Sequence, residues 1–156
     1  MKMVLRGVRS RWLWWSVSIV FGLMVVIYGG TSWYLAYQVT VSERKPLEAR
    51  PEDYGLAYER VSFTPRGGDI ELQGWYLPTD DGSPTIIITH GLNSNRADTN
   101  IGLLEISRDL HLSGFAVLLF DLRGHGESGG DKFNGGNKER MDTLGAFDYL
   151  LERGTR

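Results

Sequence analysis

The segment FAVLLFDLRGHGESGG, residues 115–130, joins a continuous apolar run directly to a glycine-rich polar loop. The run ends at Phe120, and its unbroken apolar character predicts a strand covered on both faces, as in a parallel sheet. The glycines that follow allow the chain to turn sharply at the carboxyl end of that strand. Because ligands of open α/β sheets bind at this end, the loop that begins at Asp121 predicts a functional edge.

The same loop contains a G-x-S-x-G pattern, formed by Gly126, Ser128 and Gly130. This is the pattern of the nucleophile elbow, which places a serine on a sharp turn between a strand and a helix. Here the pattern begins about six residues after the strand, and Asp131 follows it where a helix is required. We therefore interpret Ser128 as a turn residue and not as a nucleophile.

An uncharged apolar segment precedes the domain that contains this loop. Residues 12–42 contain no charged side chain, four basic residues come before them, and the first acidic residue is Glu43. The apolar core from about Trp15 to Tyr34 has close to the ~20 residues that a helix needs to span a bilayer. Aromatic residues lie at both of its ends, as in interfacial belts. These features predict a basic cytoplasmic tip and transmembrane anchor over residues 1–39, with the lipid bilayer as its partner.

A cleaved signal peptide is the alternative interpretation of this segment. Its apolar region would have only ~7–15 residues and would end in a small-residue cleavage site. The small residues from Gly29 to Ser32 are followed at once by aromatic residues, so an uncleaved anchor is favoured. The basic residues before the segment favour a cytoplasmic N-terminus. The predicted location is a membrane, crossed once, with the folded domain on the extracytoplasmic side.

The composition and motifs argue against nucleic acid and metal partners. Of the 17 Lys and Arg residues, four precede the anchor, which leaves 13 against 19 Asp and Glu residues, a balance of −6. A domain with this net negative charge is not expected to bind nucleic acid. The absence of cysteine excludes disulfides and thiolate metal sites. His125 lies among acidic residues, but their spacing matches no ligand pattern, and a solvated turn is the favoured interpretation.

After the anchor the sequence predicts a stalk and then a hairpin. Residues 40–56 are polar and lack a hydrophobic period, so they are interpreted as the stalk. Apolar and polar residues alternate from Tyr58 to Thr64 and from Ile70 to Leu77, with turn residues between the two segments. An antiparallel hairpin is therefore expected at the start of a domain over residues 57–156.

A strand–helix–strand–helix pattern follows the hairpin. Thr85 to Thr89 predicts a second buried strand, and residues 98–113 predict a helix that ends at Gly114. After the glycine-rich loop, Asn137 or a neighbour can cap a second helix, which Gly154 can end. The residues predicted to form apolar stripes are Leu103, Ile106 and Leu110 in the first helix, and Met141, Leu144, Phe147 and Leu151 in the second.

The predicted fold class is α/β, with an N-terminal transmembrane helix, an antiparallel hairpin and then strand–helix–strand–helix. The crossover between the parallel strands is expected to be right-handed. Two parallel strands and a hairpin bury too little apolar surface. The alternating pattern predicts a further strand after the second helix. We therefore expect an incomplete sheet that represents the first half of a domain or is completed by something else.

Two motifs in this order of elements resemble those of a known family. The strand that ends in THG and the later sequence FDLRGHGESG together resemble the N-terminal part of the α/β-hydrolase superfamily, over about residues 57–154. The pattern is most similar to membrane-anchored bacterial members of its esterase, lipase and serine-peptidase-like branch. The single motif HG is common, but its combination with a D-x-R-G-x-G-x-S loop some thirty residues later is fairly specific.

The resemblance implies roles for residues in both loops. Leu92 would donate its backbone N–H to the oxyanion hole, which stabilises negative charge on the carbonyl oxygen during acyl transfer. His90 and Gly91 would shape that loop, and Arg123 would tie the neighbouring loop by charge-assisted hydrogen bonds. The family's serine nucleophile, acid and catalytic histidine follow later strands, so they are expected beyond Arg156. None of the triad residues is therefore assigned within the chain.

The resemblance implies a parent enzyme that hydrolyses ester, thioester or amide bonds of a small-molecule or peptide acyl substrate through a serine acyl-enzyme, without a cofactor. Residues 1–156 alone are expected to be inactive. Two alternatives remain open. One is a noncatalytic membrane-tethered module that binds a partner through its open sheet edge. The other is a haloalkane dehalogenase or epoxide hydrolase, with an aspartate at the elbow.

Overall fold

The computed structural model describes residues 4–41, 43–68, 70–80 and 82–155, with side chains from Arg11 onward. These residues form two compact units, which divide between Val39 and Thr40. The first unit is one helix, and the second combines a β-sheet with two helices.

The first unit consists of helix α1, Val4–Thr40. Its part Arg11–Thr40 has 30 residues and contains an 18-residue window with a mean hydropathy of 1.8, so by length and composition it could cross a membrane. A helix of this length spans about 45 Å at 1.5 Å per residue. The side chains of Arg11–Thr40 are exposed, and apolar residues lie on all sides of the helix. This distribution differs from the one-sided apolar stripe of a surface helix.

The second unit is built on four strands, which are β1 (Glu59–Phe63), β2 (Leu72–Leu77), β3 (Thr85–Ile88) and β4 (Ala116–Phe120). Their order in the sheet is β1–β2–β4–β3. The β1/β2 and β2/β4 pairs are antiparallel, and the β3/β4 pair is parallel. The predicted hairpin and the predicted parallel pair are therefore confirmed, within a mixed and partial α/β sheet.

Helices α2 (Leu103–Leu112) and α3 (Glu139–Glu152) belong to two separate apolar clusters. Because side chains alternate along a strand, Val117 and Leu119 of β4 pack in the cluster of α2, whereas Leu118 and Phe120 pack in the cluster of α3. Every residue of β4 is buried, as its continuous apolar run predicted. The sheet is therefore a middle layer between the two helices.

Strand β3 differs from its prediction as a buried strand. All four of its residues are only half-buried. Within the described sheet β3 is the last strand, with β4 on one side. An apolar run predicts that a strand will be covered, but it does not tell which neighbour supplies the cover.

The buried face predicted for α3 is wrong. Phe147 and Leu151 are 49% and 58% exposed, whereas Gly145 and Ala146 are buried. A Cβ atom at Gly145 would lie 2.3 Å from the carbonyl oxygen of Thr64. Helix α3 packs against the end of β1 with its small residues Gly145 and Ala146. The larger residues of the predicted apolar stripe therefore cannot lie on that face. In α2 the face is partly wrong as well, since Ile106 is 44% exposed.

The helix ends were predicted better than the helix starts. Gly114 and Gly154 have φ of 89° and 78° and end the two helices, as expected. Helix α2 begins later than residue 98, because the carboxylate of Asp98 accepts hydrogen bonds from backbone N–H groups that follow it and forms a turn. No side chain caps α3; instead, Glu139 accepts the N–H groups of residues 134 and 136. The predicted Asn137 cap is thus not formed.

The segment predicted as a stalk lies along the second unit instead of standing apart from it. Pro51–Tyr54 forms a short 3-10 helix in which Pro51 is buried. Leu47 and Ala49 pack against the apolar cluster of α2. These apolar residues are spread through a polar segment without a hydrophobic period, so no local pattern predicted their packing. The folded unit therefore begins before residue 57.

Candidate active site

The candidate site is formed by two loops at one edge of the sheet. Residues 89–98 follow β3, and residues 121–131 follow β4. Because β3 and β4 are parallel, the carboxyl ends of both strands lie at the same edge. This arrangement brings the loop of the predicted residues His90, Gly91 and Leu92 next to the glycine-rich loop.

A buried carboxylate at the end of β4 joins the two loops. Asp121 accepts a hydrogen bond from the backbone N–H of Arg96 (2.8 Å) and another from the N–H of Glu127 (2.9 Å). Its Oδ2 atom also accepts a bond from the guanidinium of Arg96. A Cβ atom at Gly126 would lie 2.0 Å from this same Oδ2, so the loop can close around the carboxylate only with glycine there.

The guanidinium of Arg96 is almost completely buried in this arrangement. It lies 4.4 Å from the centre of the Trp75 ring, a cation–π distance, and it binds the carboxylates of Asp121 and Glu127. Its hydrogen bond lowers the pKa of Glu127, so that carboxylate stays ionised. The sequence reasoning missed Arg96, since no motif links it to the acidic residues of the second loop.

His90 is buried and uses both of its ring nitrogens. Its Nε2 accepts a hydrogen bond from the backbone N–H of Leu122 (3.1 Å), and its Nδ1 lies 2.7 Å from the carbonyl oxygen of Gly91. An N–H group can only donate, so Nε2 carries no proton and Nδ1 carries the single proton of a neutral ring. Burial lowers the pKa of His90, which agrees with this assignment. The side chain is thus structural and shapes the loop.

His125 is also buried, which corrects its interpretation as part of a solvated turn. Its Nδ1 lies 2.8 Å from the carbonyl oxygen of Arg123, and its Nε2 accepts the backbone N–H of Asn93 at 3.3 Å. Among the residues that the structure describes, no group of three or more His, Asp and Glu side chains could hold a metal ion. The ring instead connects the second loop to the first.

The backbone amide of Leu92 lies between these fixed points. Its N–H donates to none of the residues that the structure describes, whereas the N–H of the next residue, Asn93, is bound to His125. Asn93 has a left-handed φ of 55°, a conformation that asparagine tolerates better than most residues. The Leu92 side chain is 40% exposed. The arrangement leaves the Leu92 N–H available as a donor at the carboxyl edge of the sheet.

Ser128 has the turn position that was predicted for it. Its hydroxyl donates to the carbonyl oxygen of Asp121 (2.5 Å) and accepts the backbone N–H of Gln73 (2.9 Å). It is buried within the long loop that connects β4 and α3 and does not lie on a sharp turn that joins a strand directly to a helix. The hydroxyl therefore holds the loop against β2 and has no free access to a substrate.

Arg44 holds the glycine-rich loop from outside. Its guanidinium donates to the carbonyl oxygens of Gly126 (2.9 Å), Ser128 (2.7 Å) and Gly130 (2.6 Å). The next residues of the same segment bind the other loop, since Asn95 donates to the carbonyl oxygens of residues 45 and 46. The segment before the 3-10 helix is thus part of the site's support, which the sequence reasoning did not foresee.

The solved structures that are similar to this chain include an esterase and an α/β hydrolase. The esterase Pf2001 of Pyrococcus furiosus is 30% identical with a TM-score of 0.65, over 73% of this chain and 42% of the esterase. The α/β hydrolase GrgF of Penicillium sp. sh18 is 27% identical with a TM-score of 0.55, over 62% of this chain and 33% of that protein. The chain thus spans about two fifths or less of the length of these proteins. No protein-family model and no curated protein matches the sequence.

The strand order, the two loops and these similarities define a class of protein. These similarities support the α/β-hydrolase superfamily, and the chain has the fold of the first half of such a domain. Its structural neighbours include an esterase, which agrees with the resemblance in the THG and D-x-R-G-x-G-x-S motifs.

Proposed function

We propose that this chain forms the N-terminal part of a serine hydrolase that cleaves ester, thioester or amide bonds in small-molecule or peptide substrates. In this proposal the serine nucleophile, the acid and the catalytic histidine come from sequence that follows residue 156. The serine attacks the carbonyl carbon, the alcohol, thiol or amine leaves, and water then releases the acid from the acyl-enzyme. Residues 1–156 contribute the stabilisation of the oxyanion and no nucleophile.

The observation that carries this proposal is the free N–H of Leu92. Acyl transfer places negative charge on the carbonyl oxygen, and a donor that is already oriented stabilises it without reorganisation. The amide follows His90 and Gly91 at the carboxyl edge of β3, and the residues on both sides of it are held by hydrogen bonds.

The hydrogen bonds of His90, His125 and Ser128 support the proposal that residues 1–156 supply neither the nucleophile nor the general base. Both ring nitrogens of His90 and of His125 are engaged with the backbone, so neither ring is free to act as a general base. The hydroxyl of Ser128 is engaged in the same way. We therefore expect residues 1–156 alone to hydrolyse no p-nitrophenyl ester. Hydrolysis by this chain that Ser128→Ala abolished would contradict the proposal.

The donor role can be tested in the full-length protein by removing the amide hydrogen. Leu92→Pro has no N–H, whereas the control Leu92→Ala keeps the N–H and loses only the side chain. Loss of one oxyanion donor is expected to lower kcat by on the order of 10²–10³-fold. We expect that loss for Leu92→Pro only, with circular dichroism spectra that match for both variants. Equal kcat values for the two variants would argue against the amide as a donor.

The coding sequence after the codon for Arg156 tests the class of nucleophile. A further strand that ends in G-x-S-x-G supports the serine hydrolase. An aspartate at the same place would give a haloalkane dehalogenase or epoxide hydrolase, and a stop codon would give a noncatalytic tethered module. A fluorophosphonate probe, which labels only an activated serine, gives a second test in the full-length protein.

We propose in addition that α1 anchors the protein in a membrane, with the N-terminus in the cytoplasm. The length and hydropathy of Arg11–Thr40 and the basic residues that precede its apolar part support this. Because the chain contains no cysteine, a single introduced cysteine reports its own accessibility. In sealed right-side-out vesicles, an impermeant maleimide should label Glu152→Cys and leave Ser10→Cys unlabelled. The opposite result would reverse the orientation.

A further inference from the structure

The two site loops exchange hydrogen bonds through a pair of histidines. His90 of the first loop accepts the backbone N–H of Leu122 in the second loop, at 3.1 Å. His125 of the second loop accepts the backbone N–H of Asn93 in the first loop, at 3.3 Å. The two rings are in contact, with centroids 5.1 Å apart and planes inclined at 63°. Each loop therefore fixes a peptide group of the other, and we call this arrangement the histidine brace.

The ring of His125 is itself held firmly. It has no exposed surface, and its Nδ1 lies 2.8 Å from the carbonyl oxygen of Arg123. The ring of Phe133 contacts it edge-on, with the ring centroids 6.3 Å apart. Because Nδ1 carries the proton, Nε2 is free to accept from Asn93. The acceptor is thus oriented by its own second hydrogen bond and by packing.

The peptide that the brace holds is the one next to the candidate oxyanion donor. Asn93 has a φ of 55°, and a residue other than glycine loses roughly 1–2 kcal/mol in this conformation. The bond from its N–H to His125 fixes the peptide plane between Leu92 and Asn93 in that conformation. The Leu92 N–H itself belongs to the preceding peptide group, whose carbonyl oxygen lies 2.7 Å from Nδ1 of His90, so His90 and His125 fix the peptide groups on the two sides of the Leu92 Cα atom.

We infer that His125 is a positioning residue, which orients the Leu92 amide toward the substrate oxyanion by holding the N–H of Asn93. This inference rests on the proposed function, because it assigns His125 to the same oxyanion site. His125 does not touch the substrate, and it acts through the peptide group that it binds. A misplacement of about 1 Å can lower a catalysed rate on the order of 10²-fold, so such a role is measurable.

Two substitutions test the roles of the two ring nitrogens of His125 separately. In His125→Asn, the side-chain amide can still donate to the carbonyl oxygen of Arg123, but it is too short to reach Asn93. In His125→Gln, the side-chain oxygen can take the place of Nε2 and accept from Asn93. In the full-length protein with p-nitrophenyl ester substrates, we expect His125→Asn to lower kcat by about 10-fold to 100-fold with little change in KM. We expect His125→Gln to recover most of that loss.

The control is Phe63→Leu, a substitution in the apolar cluster of α3, where the Phe63 ring contacts the rings of Phe120 and Tyr149. It should lower the melting temperature and leave kcat unchanged, which separates lost stability from lost positioning. Equal losses of kcat for His125→Asn and His125→Gln, or an effect on KM alone, would overturn the inference. A wild-type protein that neither hydrolyses esters nor reacts with a fluorophosphonate would instead refute the proposed function.

A measurement without any substitution covers the case in which His125→Asn fails to fold. The ¹⁵N chemical shifts of the His125 ring report which nitrogen carries the proton. We expect the proton on Nδ1 and an unprotonated Nε2, together with slow hydrogen exchange of the Asn93 amide. A proton on Nε2 would overturn the inference, because that nitrogen could not then accept a hydrogen bond.

Discussion

Arg123 and Asp142 form a buried ion pair that ties the glycine-rich loop to helix α3. The carboxylate accepts hydrogen bonds from the Arg123 Nη2 (2.6 Å) and from its backbone N–H (3.0 Å). Asp142 has no exposed surface, and Arg123 is nearly as buried. The resemblance to the family predicted that Arg123 would tie its loop, and the structure supplies the partner. The position of the loop therefore depends on the helix that follows it.

Removal of this carboxylate is expected to be strongly destabilising. Asp142→Ala removes the carboxylate that pairs with the buried Arg123 guanidinium, and removal of one member of a buried pair costs about 3–5 kcal/mol. The same helix offers a control in Asp148, whose pair with Arg66 is about half exposed. Asp148→Ala should cost at most ~1 kcal/mol. Urea unfolding of the full-length protein measures both, and similar midpoints for the two variants would contradict the structural role of the buried pair.

Gly126 is required for two reasons that a pair of alanine substitutions can separate. It has a φ of 45°, and a Cβ atom there would lie 2.0 Å from a carboxylate oxygen of Asp121. Gly135 has a comparable φ of 62° but open space around it. Gly135→Ala should therefore cost only the conformational strain, roughly 1–2 kcal/mol.

Gly126→Ala should cost clearly more than this, because the clash displaces the carboxylate that binds Arg96. The difference between the unfolding free energies of the two variants isolates the effect of the clash. Equal values for Gly126→Ala and Gly135→Ala would show that the loop relaxes around the added methyl group.

Arg44 is expected to control the local stability of the glycine-rich loop more than the global stability of the fold. Arg44→Ala leaves three carbonyl oxygens of the loop without this donor, but the guanidinium is exposed, and water can replace it. Hydrogen exchange of residues 121–130 should accelerate, while the unfolding midpoint changes little. The control Arg60→Ala removes only a weak contact with Glu127 at 3.5 Å and should leave the exchange unchanged. Unaltered exchange in Arg44→Ala would exclude the role of this residue.

The elements that the sequence predicted are those with a short-range signal. The continuous apolar run of β4, the alternation in β1 and β2 and the glycines that end both helices are local patterns, and each appears in the structure. The face of α3 was wrong because its approach to the sheet is set by the contact of Gly145 with the backbone of Thr64. That contact joins distant parts of the chain, and a stripe of larger residues gave the stronger local pattern.

The candidate site likewise combines features that a local pattern predicts with contacts between residues far apart in the sequence. Its place at the carboxyl ends of β3 and β4 follows from the parallel pairing alone, which is why the loops after His90 and Asp121 were identified correctly. The contacts that join the loops connect Arg96 with Asp121 and Asn93 with His125, which are 25 and 32 residues apart. No periodicity links residues at such separations, so these pairs could be found only in three dimensions.

The buried histidine of the first loop should make stability depend on pH. Burial lowers the pKa of His90 in the folded protein, although the nearby carboxylate of Asp121 acts in the opposite direction. In the unfolded chain its pKa is ~6.5, so below that pH the unfolded state binds more protons than the folded state. Stability should thus be constant above about pH 7, fall as the pH decreases below ~6.5, and level off once the folded pKa is passed.

His90→Gln is the matched variant, because its side-chain oxygen can accept the N–H of Leu122 without titrating. The free energy of unfolding of wild type minus that of His90→Gln should decrease between pH 7 and pH 5.5, with a slope of at most ~1.4 kcal/mol per pH unit. The lowered carboxylate pKa values of Asp98 and Glu127 act below this range, because their contributions are lost only as the pH falls beneath ~4.5. A difference that did not change with pH would mean that His90 is not held neutral by the fold.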